Sequence, residues 1–104
     1  MNKEMLKGTI DLLILSTLSS ADNYGYEISK EIKERTEGMF EIQEATLYLA
    51  LKRLEKHSFI EAYWGTESQG GKRKYYHLTD LGIEQLGQMK ADWMKISEMV
   101  HRFL

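Results

Sequence analysis

The sequence predicts a mainly α-helical fold that contains a small β-hairpin. Apolar residues recur at steps of three and four along four stretches, as they do on one face of a helix. Between the third and fourth stretches lie two short segments rich in aromatic and branched residues, separated by a pair of glycines. The 104 residues contain no proline, no repeat and no linker-like tract, so we expect one continuous unit.

The first helix is predicted from Met5 to Leu18, and it carries two apolar faces. One face has the composition of a core-facing surface: Ile10, Leu13, Ile14 and Leu18. Met5 and Leu12 fall on the opposite face, where a lone helix would be polar. This second face indicates a further packing surface. The apolar run Ile10–Leu15 is too short to cross a bilayer, and we expect no membrane partner.

The second helix is predicted after Ser20–Asn23, a stretch that supplies turn and capping residues. Tyr24, Ile28 and Ile32 then recur at every fourth position beside acidic and basic side chains, which is typical of an amphipathic helix. Gly38 stands where a residue in the left-handed conformation would end this helix.

The third helix is predicted over Glu44–Ser58, because Leu47, Leu51 and Leu54 form one narrow apolar face. The opposite face is cationic and includes one large apolar residue: it holds Ala45, Leu49, Lys52 and Lys56, with Tyr48 and Arg53 at its margins. We expect this face to point outward, towards water or a partner.

Two strands of a β-hairpin are predicted at Phe59–Trp64 and Arg73–Leu78, with Gly70 and Gly71 in a loop longer than the tightest hairpin turns. Thr79 is of a residue type that caps helices, and a final helix follows it. Three helices followed by a hairpin form the layout of a winged helix-turn-helix. In that fold the third helix enters the major groove of DNA and the hairpin flanks it.

The charge of the chain is slightly negative, with a net −2 and a pI near 5.9, which argues against binding a polyanion over the whole surface. Positive charge is concentrated at the hairpin in Lys72, Arg73 and Lys74, which can meet phosphate oxygens. On the third helix, Leu49 can meet a thymine methyl group in a major groove. The alternative for the cationic run is that it only keeps an exposed hairpin edge soluble.

The final helix carries an apolar seam at alternating steps of three and four, as in a coiled coil: Leu86, Met89, Trp93, Ile96, Val100 and Phe103. Because the other elements already close a core, we expect this seam to join two copies of the chain. Residues 1–80 would form a winged-helix DNA-binding domain and residues 81–104 a C-terminal dimerisation helix. Trp93 would lie near the two-fold axis, where it would either fill the core or line a gap between flat aromatic walls.

Nothing in the sequence is typical of an enzyme. A nucleophile paired with a base, a glycine-rich phosphate loop and clustered carboxylates are all missing. His57, His77 and His101 lie in three different elements, so we expect no metal site, and nothing indicates a cofactor. The chain has no cysteine, which is compatible with a reducing cytosol, and we expect a cytoplasmic protein.

Four motifs of the chain resemble the PadR family of bacterial transcriptional regulators. In order, they are YGYEI at Tyr24–Ile28, TLYLALKRLEK at Thr46–Lys56, YWG at Tyr63–Gly65 and GGKRKYYHLT at Gly70–Thr79. The chain is also similar to the short subgroup with one C-terminal helix, which includes a multidrug-binding repressor. The resemblance implies a dimeric winged-helix repressor of transporter, detoxification or phenolic-acid genes, often including its own.

The residue pattern and the resemblance together predict two sites. The residues expected to bind DNA are Tyr24, Tyr26, Thr46, Tyr48, Leu49, Lys52, Arg53, Gly70, Gly71, Lys72, Arg73 and Lys74. In the multidrug-binding relative a flat aromatic compound is held between two tryptophans that match Trp93. This implies a ligand site formed by Met5, Leu12, Met89 and Trp93. Many family members have proline at the position of Leu49, so the base preference of the third helix would differ here.

We therefore expect a homodimeric repressor that binds a palindromic operator of double-stranded DNA and is released by a planar aromatic or drug-like effector. The alternative is a winged-helix module that binds other proteins and does not bind DNA, because a fold does not decide a function. Binding to a palindromic duplex that weakens as salt rises would distinguish the two.

Overall fold

The computed structural model describes residues 3–66 and 71–104, and within them the side chains of residues 6, 8–66 and 71–104. Its helices and strands follow in this order: α1 (Lys3–Ser20), β1 (Asn23–Tyr24), α2 (Gly25–Arg35), α3 (Glu44–Lys56), β2 (Ile60–Trp64), β3 (Lys74–Leu78) and α4 (Asp80–His101). The predicted fold class is confirmed. Three helices precede the hairpin of β2 and β3, and one long helix follows it, which is the layout of a winged helix-turn-helix.

The sheet contains a strand that the sequence pattern did not predict. The strands lie in the order β1, β3, β2, and both pairs are antiparallel. Asn23 pairs with Tyr76 and Tyr24 with Tyr75, so the assignment of Asn23 to a capping turn and of Tyr24 to the second helix is wrong. A strand of two residues is too short to show an alternation of apolar and polar residues in the sequence. Only the backbone of β3 beside it makes this segment a strand.

The core draws on every helix and on both strands of the hairpin. Its completely buried side chains, each less than 2% exposed, include Ile14, Leu15, Ile28, Leu51 and Ile60. The strand β3 adds Tyr76 and Leu78, and α4 adds Leu86. Burial of one large apolar side chain stabilises a fold by about 1.5–3 kcal/mol. The helices are therefore held against the hairpin by a single apolar core.

The helix α1 lies at the centre of the fold, in contact with α2, α3, α4 and β3. Leu15 is completely buried, although the predicted core face did not include it. Leu12, which was assigned to the opposite face, is half-buried and packs against the core. A helix with neighbours on several sides buries more than one face, so a single apolar face describes α1 incompletely. The side chain of Met5 lies outside the described residues.

Two predicted signals at helix ends are confirmed. Gly38 is left-handed with a φ of 79°, and its N–H donates to the carbonyl of Lys33 at 2.8 Å; it closes α2 together with Glu37 before it, which is also left-handed with a φ of 53°. The Thr79 hydroxyl accepts a hydrogen bond from the N–H of Gly82 at 3.0 Å and so caps α4. The same hydroxyl donates to the carbonyl of Ser58 at 2.6 Å, which ties the start of α4 to the segment before β2.

The helix α4 begins in the core and leaves it about halfway along its length. Leu86 is 5% exposed and belongs to the core of its own subunit, and Met89 packs against that core. The expectation that the whole seam lacks a partner within its subunit is wrong at these two positions, because both side chains pack in or against the core of their own subunit. Beyond them the seam is exposed: Trp93 53%, Ile96 50%, Val100 49% and Phe103 90%. Among the described residues, no helix combines the length and apolar character needed to span a membrane.

Candidate nucleic-acid interface

The outward side of α3 is a ridge between two clefts. Leu49 is 67% exposed and Tyr48 46% exposed, and Lys52, one turn after Tyr48, is exposed as well. The opposite side of α3 is buried through Leu47, Ala50, Leu51 and Leu54. The helix is therefore oriented as its apolar spacing predicts, and we call Tyr48, Leu49 and Lys52 the α3 ridge.

The first cleft lies between the start of α2, α3 and the hairpin, and we call it the hairpin-side cleft. Its volume is about 210 Å³, and its lining comes from all three elements: Tyr24, Gly25, Tyr26, Tyr48, Arg73, Lys74 and Tyr76. The Tyr48 ring lies directly against the start of α2, since a Cβ atom at Gly25 would lie 2.7 Å from the hydroxyl oxygen of Tyr48. Residues predicted to bind DNA from three separate stretches of sequence thus meet at one place.

The second cleft lies on the other flank of α3, against α1 and the connection between α2 and α3. Its volume is about 600 Å³, and its lining includes Leu6, Ile10, Phe40, Thr46, Leu49 and Arg53. The Arg53 guanidinium forms an ion pair with Asp11 of α1. Thr46 and Arg53 therefore lie on the flank that faces α1, away from the hairpin-side cleft. The spacing of residues in α3 alone did not indicate this separation.

The hairpin presents Lys72, Arg73 and Lys74 as exposed side chains. Strand pairing continues past the end of β2, because the N–H of Gly65 donates to the carbonyl of Arg73 at 2.7 Å. Gly71 has a φ of 91°, a left-handed conformation that glycine adopts without strain. Gly70, also predicted to bind DNA, lies outside the described residues. The backbone of the hairpin is thus ordered by hydrogen bonds up to the point where its cations project.

Two neighbouring cations of the hairpin, Arg73 and Lys74, are held by different partners. The guanidinium carbon of Arg73 lies 4.6 Å from the centre of the Tyr24 ring, and Nη1 donates to the Tyr24 hydroxyl at 3.1 Å. The Lys74 ammonium lies 3.9 Å from a carboxylate oxygen of Glu55 and 5.7 Å from the centre of the Tyr76 ring. Arg73 and Lys74 thus both line the hairpin-side cleft, and each has partners of its own.

The outer face of the sheet carries an aromatic layer that the sequence pattern did not single out. The rings of Tyr63 and Tyr75 stack with their centres 5.7 Å apart, and Tyr24 meets Tyr75 edge-on at 5.5 Å. Beside this layer, Asp22 accepts a hydrogen bond from the Tyr63 hydroxyl at 2.6 Å and lies 2.8 Å from Nδ1 of His77. The alternation along β3 could have indicated part of the layer. The contributions of β1 and Asp22 depend on the pairing of β1 with β3, which no local sequence pattern predicts.

The pairing of Asp22 with His77 shifts both of their pKa values. The pKa of Asp22 is lowered, chiefly by the hydrogen bond from Tyr63 and also by His77, while partial burial opposes the shift. The pKa of His77 is raised, first by its hydrogen bond to Asp22 and also by the negative charges of Asp22, Glu61 and Asp80, while burial opposes the shift. Both shifts favour the charged forms, so the pair stabilises the sheet when Asp22 is ionised and His77 is protonated.

We predict that this pair stabilises the domain within a defined pH window. The raised pKa of His77 contributes stability that is complete below the ordinary histidine pKa of about 6.5 and is lost as the pH rises through the folded-state pKa. The lowered pKa of Asp22 contributes stability that is complete above the ordinary aspartate pKa of about 3.9 and is lost as the pH falls through the folded-state pKa. The pair is therefore fully effective between these two ordinary values.

Urea unfolding of the wild type and of His77→Gln over a pH series measures this contribution. The difference in unfolding free energy should be largest near a pH of about 5.5 and should shrink towards a pH of about 8.5, where the ring is neutral. The same substitution in an Asp22→Asn background should lose most of this pH dependence. An equal pH dependence in both backgrounds would contradict the prediction.

The residues predicted to bind a ligand lie on α1 and α4. Leu12 and Met89 are half-buried and pack against the core of their own subunit. Trp93, one turn beyond Met89, is 53% exposed. The side chain of Met5 is not among the described ones. Among the described residues predicted to bind a ligand, Trp93 is therefore the exposed one.

Comparisons with known proteins find similarity along nearly the whole chain. Residues 14–88 match the family described as "Transcriptional regulator PadR-like family". Uncharacterized protein X of Lysinibacillus sphaericus is 46% identical over 101 residues, which are 97% of this chain and 93% of that protein. The structure of a transcriptional regulator from Clostridium thermocellum matches with a TM-score of 0.90 and 38% identity over 98% of this chain and 99% of that chain. The structure of a PadR-like transcriptional regulator from Bacillus cereus matches with a TM-score of 0.83 and 37% identity over 97% of this chain and 96% of that chain.

Proposed function

The chain belongs to the PadR-like family of transcriptional regulators, and we propose that it is a repressor that binds a palindromic operator as a homodimer. Regulators of this family bind DNA and are not enzymes. In the proposed complex, the α3 ridge of Tyr48, Leu49 and Lys52 contacts base edges in the major groove. The hairpin holds phosphates beside that groove through Lys72, Arg73 and Lys74.

Cations and hydroxyl groups lie together at the hairpin-side cleft, and this observation supports DNA binding. Arg73 and Lys74 bring full positive charges to this cleft, and the start of α2 adds the partial positive charge of a helix N-terminus. Tyr24, Tyr26 and Tyr48 add phenolic hydroxyl groups that can donate hydrogen bonds. Phosphate oxygens fit such a set of donors and charges. A chain with a net charge of −2 would then bind DNA through a local site.

The exposed half of α4 supports the homodimer. Between Trp93 and Phe103, apolar side chains stand at steps of three and four, and each of them is at least 49% exposed. A stripe with this spacing is stable in water when a second helix covers it. Pairing of two copies through this stripe would present two α3 ridges together. A palindrome whose half-sites lie about one DNA turn apart would match such a pair.

Footprinting on the DNA that surrounds the chain's own gene, together with sedimentation of the protein, tests the proposal. We expect a protected stretch with two-fold symmetry, and binding to that duplex that weakens steeply as salt rises. The protein should sediment as a dimer at micromolar concentration. A monomer at this concentration would contradict the proposal. A protein that binds no duplex at low ionic strength would contradict it as well. The alternative of a winged-helix module that binds other proteins would then be favoured.

We further propose that a planar aromatic or drug-like compound releases the operator, and that the regulated genes serve transport or detoxification. Met5, Leu12, Met89 and Trp93 would line the ligand site near the two-fold axis. The exposure of Trp93 supports this site, because an indole face that its own subunit leaves uncovered can stack on a flat aromatic compound. Such a ligand releases DNA when it favours a dimer whose two α3 ridges are wrongly spaced for the operator.

We predict that Trp93→Ala abolishes the binding of planar aromatic compounds and leaves the dimer intact. Removal of the stacking surface from both subunits should weaken binding by at least about tenfold, since each aromatic stack is worth about 0.5–1.5 kcal/mol beyond its buried area. Titration of a series of planar fluorescent dyes measures the loss. Met94→Ala, which removes a side chain that is 70% exposed on a neighbouring face of α4, serves as the control. A monomeric Trp93→Ala protein would instead identify Trp93 as a filler of the dimer core.

A further inference from the structure

The inner face of β2, which is turned towards the core, ends in an exposed tryptophan. Ile60 is 1% exposed, Ala62 is half-buried and Trp64 is 63% exposed. These side chains share one face because side chains alternate along a strand. The hairpin therefore extends beyond the core between Ala62 and Trp64. The largest side chain of the strand stands where the core no longer covers it.

Trp64 lies beside a cation that reaches α3. Trp64 and Lys74 are directly opposite each other in the pairing of β2 with β3, so their side chains stand on the same face. The Lys74 ammonium lies 3.9 Å from a carboxylate oxygen of Glu55, which belongs to α3. Glu55 follows Tyr48 by seven residues and so lies on the same flank of that helix. Trp64 and Lys74 thus stand side by side on the face of the hairpin from which Lys74 reaches α3.

Packing within the subunit does not explain an indole at this position. Burial of apolar surface is worth about 25 cal/mol per Å², and Trp64 leaves 63% of its surface in water. Smaller branched residues would serve a β-strand equally well. The neighbouring charges of Lys72, Arg73 and Lys74 indicate an anionic partner. A partner that carries both an anionic group and an apolar surface suits this mixture of cations and indole, and the sugar–phosphate backbone of DNA has both.

We propose that Trp64 contacts DNA from the inner face of the hairpin. The indole ring packs on a deoxyribose, and its Nε1–H donates to the adjoining phosphate. This inference rests on the proposed DNA binding, and it extends the interface from the cations of the hairpin to the inner face of β2. Every nucleotide carries the groups involved, so the contact contributes affinity and orientation without selecting a sequence.

Fluorine NMR of the intact dimer tests this contact directly. The chain has two tryptophans, Trp64 and Trp93, so incorporation of 5-fluorotryptophan yields two signals. Trp64→Phe assigns them, because the signal of Trp64 is the one that disappears. The operator duplex identified by footprinting is then added to saturation, and an unrelated duplex of equal length is added to a second sample at low salt. We expect the Trp64 signal to shift with both duplexes and to lose at least half of its H₂O-to-D₂O solvent isotope shift.

The affinities of variants provide the second measurement, with fluorescence anisotropy of a labelled duplex as the readout. Trp64→Ala should weaken binding to the operator and to the unrelated duplex by similar factors, each about five- to tenfold, as for a lost backbone contact. Trp64→Phe should keep part of the affinity, because it retains a ring but no N–H donor. Leu81→Ala is the matched control, since Leu81 is 49% exposed at the start of α4, beyond the end of β3 that is remote from the cations.

The outcomes separate this inference from the proposed function. If the labelled operator binds while the Trp64 signal keeps its position and its solvent isotope shift, the Trp64 contact is refuted and DNA binding stands. A loss of affinity for the operator alone would also refute it, since the contact would then read sequence. If no duplex binds the wild type at low salt, the proposed function and the contact fail together.

Discussion

Gly82→Ala is expected to destabilise the domain by about 3 kcal/mol or more, a large part of the roughly 5–15 kcal/mol that holds a typical domain folded. A Cβ atom at this position would lie 2.0 Å from the carbonyl oxygen of Phe59 and 2.6 Å from Cδ1 of Leu78. The first of these is a backbone atom, so no side-chain rotation can relieve the clash. The start of α4 would have to move away from the segment before β2.

The cap of α4 depends on the same contact. The N–H of Gly82 donates to the Thr79 hydroxyl, and that hydroxyl donates to the carbonyl of Ser58. A displaced α4 would lengthen these hydrogen bonds and expose Leu86, which is 5% exposed in the fold. The clash, the cap and part of the core would therefore be lost together, which is why we expect a large effect from one methyl group.

Urea unfolding followed by circular dichroism measures the change, and Gly87→Ala is the matched control. Gly87 belongs to the same helix, and a Cβ atom there would meet no atom within 4 Å. Alanine in place of an exposed glycine inside a helix stabilises by about 0.5–1 kcal/mol. The two substitutions should therefore have opposite signs. A Gly82→Ala protein that unfolds at the urea concentration of the wild type would contradict the close approach at Phe59.

Replacement of Lys72, Arg73 and Lys74 by glutamine is expected to weaken binding to every duplex and to flatten its salt dependence. Each phosphate contact contributes about 0.9 to the slope of log K against log salt, so three lost contacts on each of the two hairpins of the dimer lower the slope by about 5.4. The structure refines this expectation. Arg73 is held on Tyr24 and Lys74 beside Glu55, so both cations are partly positioned before DNA arrives.

Anisotropy of a labelled duplex at a series of salt concentrations measures this slope. A triple variant of α2, Lys30→Gln, Lys33→Gln and Arg35→Gln, changes the net charge equally and is the matched control. These side chains pair with Glu27, Glu41 and Glu31 on the surface of the subunit. The control should keep the wild-type slope apart from a small long-range effect. An unchanged slope in the hairpin variant would remove these cations from the interface.

Much of the candidate site was predictable because its elements are amphipathic over many residues. The spacing of Leu47, Leu51 and Leu54 predicts both α3 and the outward direction of Leu49. The aromatic strands and the cations between them predict the hairpin. The sequence did not predict on which flank of α3 each side chain lies. Arg53 turns towards Asp11 of α1, a contact whose partner lies 42 residues away in the sequence.

The seam on α4 illustrates the same limit. Its spacing predicts one continuous stripe, but the fold divides it into a part that is buried in its own subunit and a part that is exposed. Leu86 falls in the first part and Trp93 in the second. Periodicity identifies the apolar side of a helix and contains no information about which neighbour covers that side. Here the beginning of the stripe packs against the core of its own subunit.

Local residue patterns predict the helices, the hairpin, the concentration of positive charge at that hairpin and the apolar stripe of α4, because these features arise from residues that are neighbours along the chain. Three further features follow from the folded structure: β1 joins the sheet, Arg73 rests on Tyr24 while Lys74 reaches Glu55, and Trp64 lies outside the core. These contacts join segments far apart in the sequence, as with Arg73 and Tyr24, which are separated by 49 positions. Such distant segments meet only after the shared core has formed, and no local pattern of residues specifies which side chains then face each other.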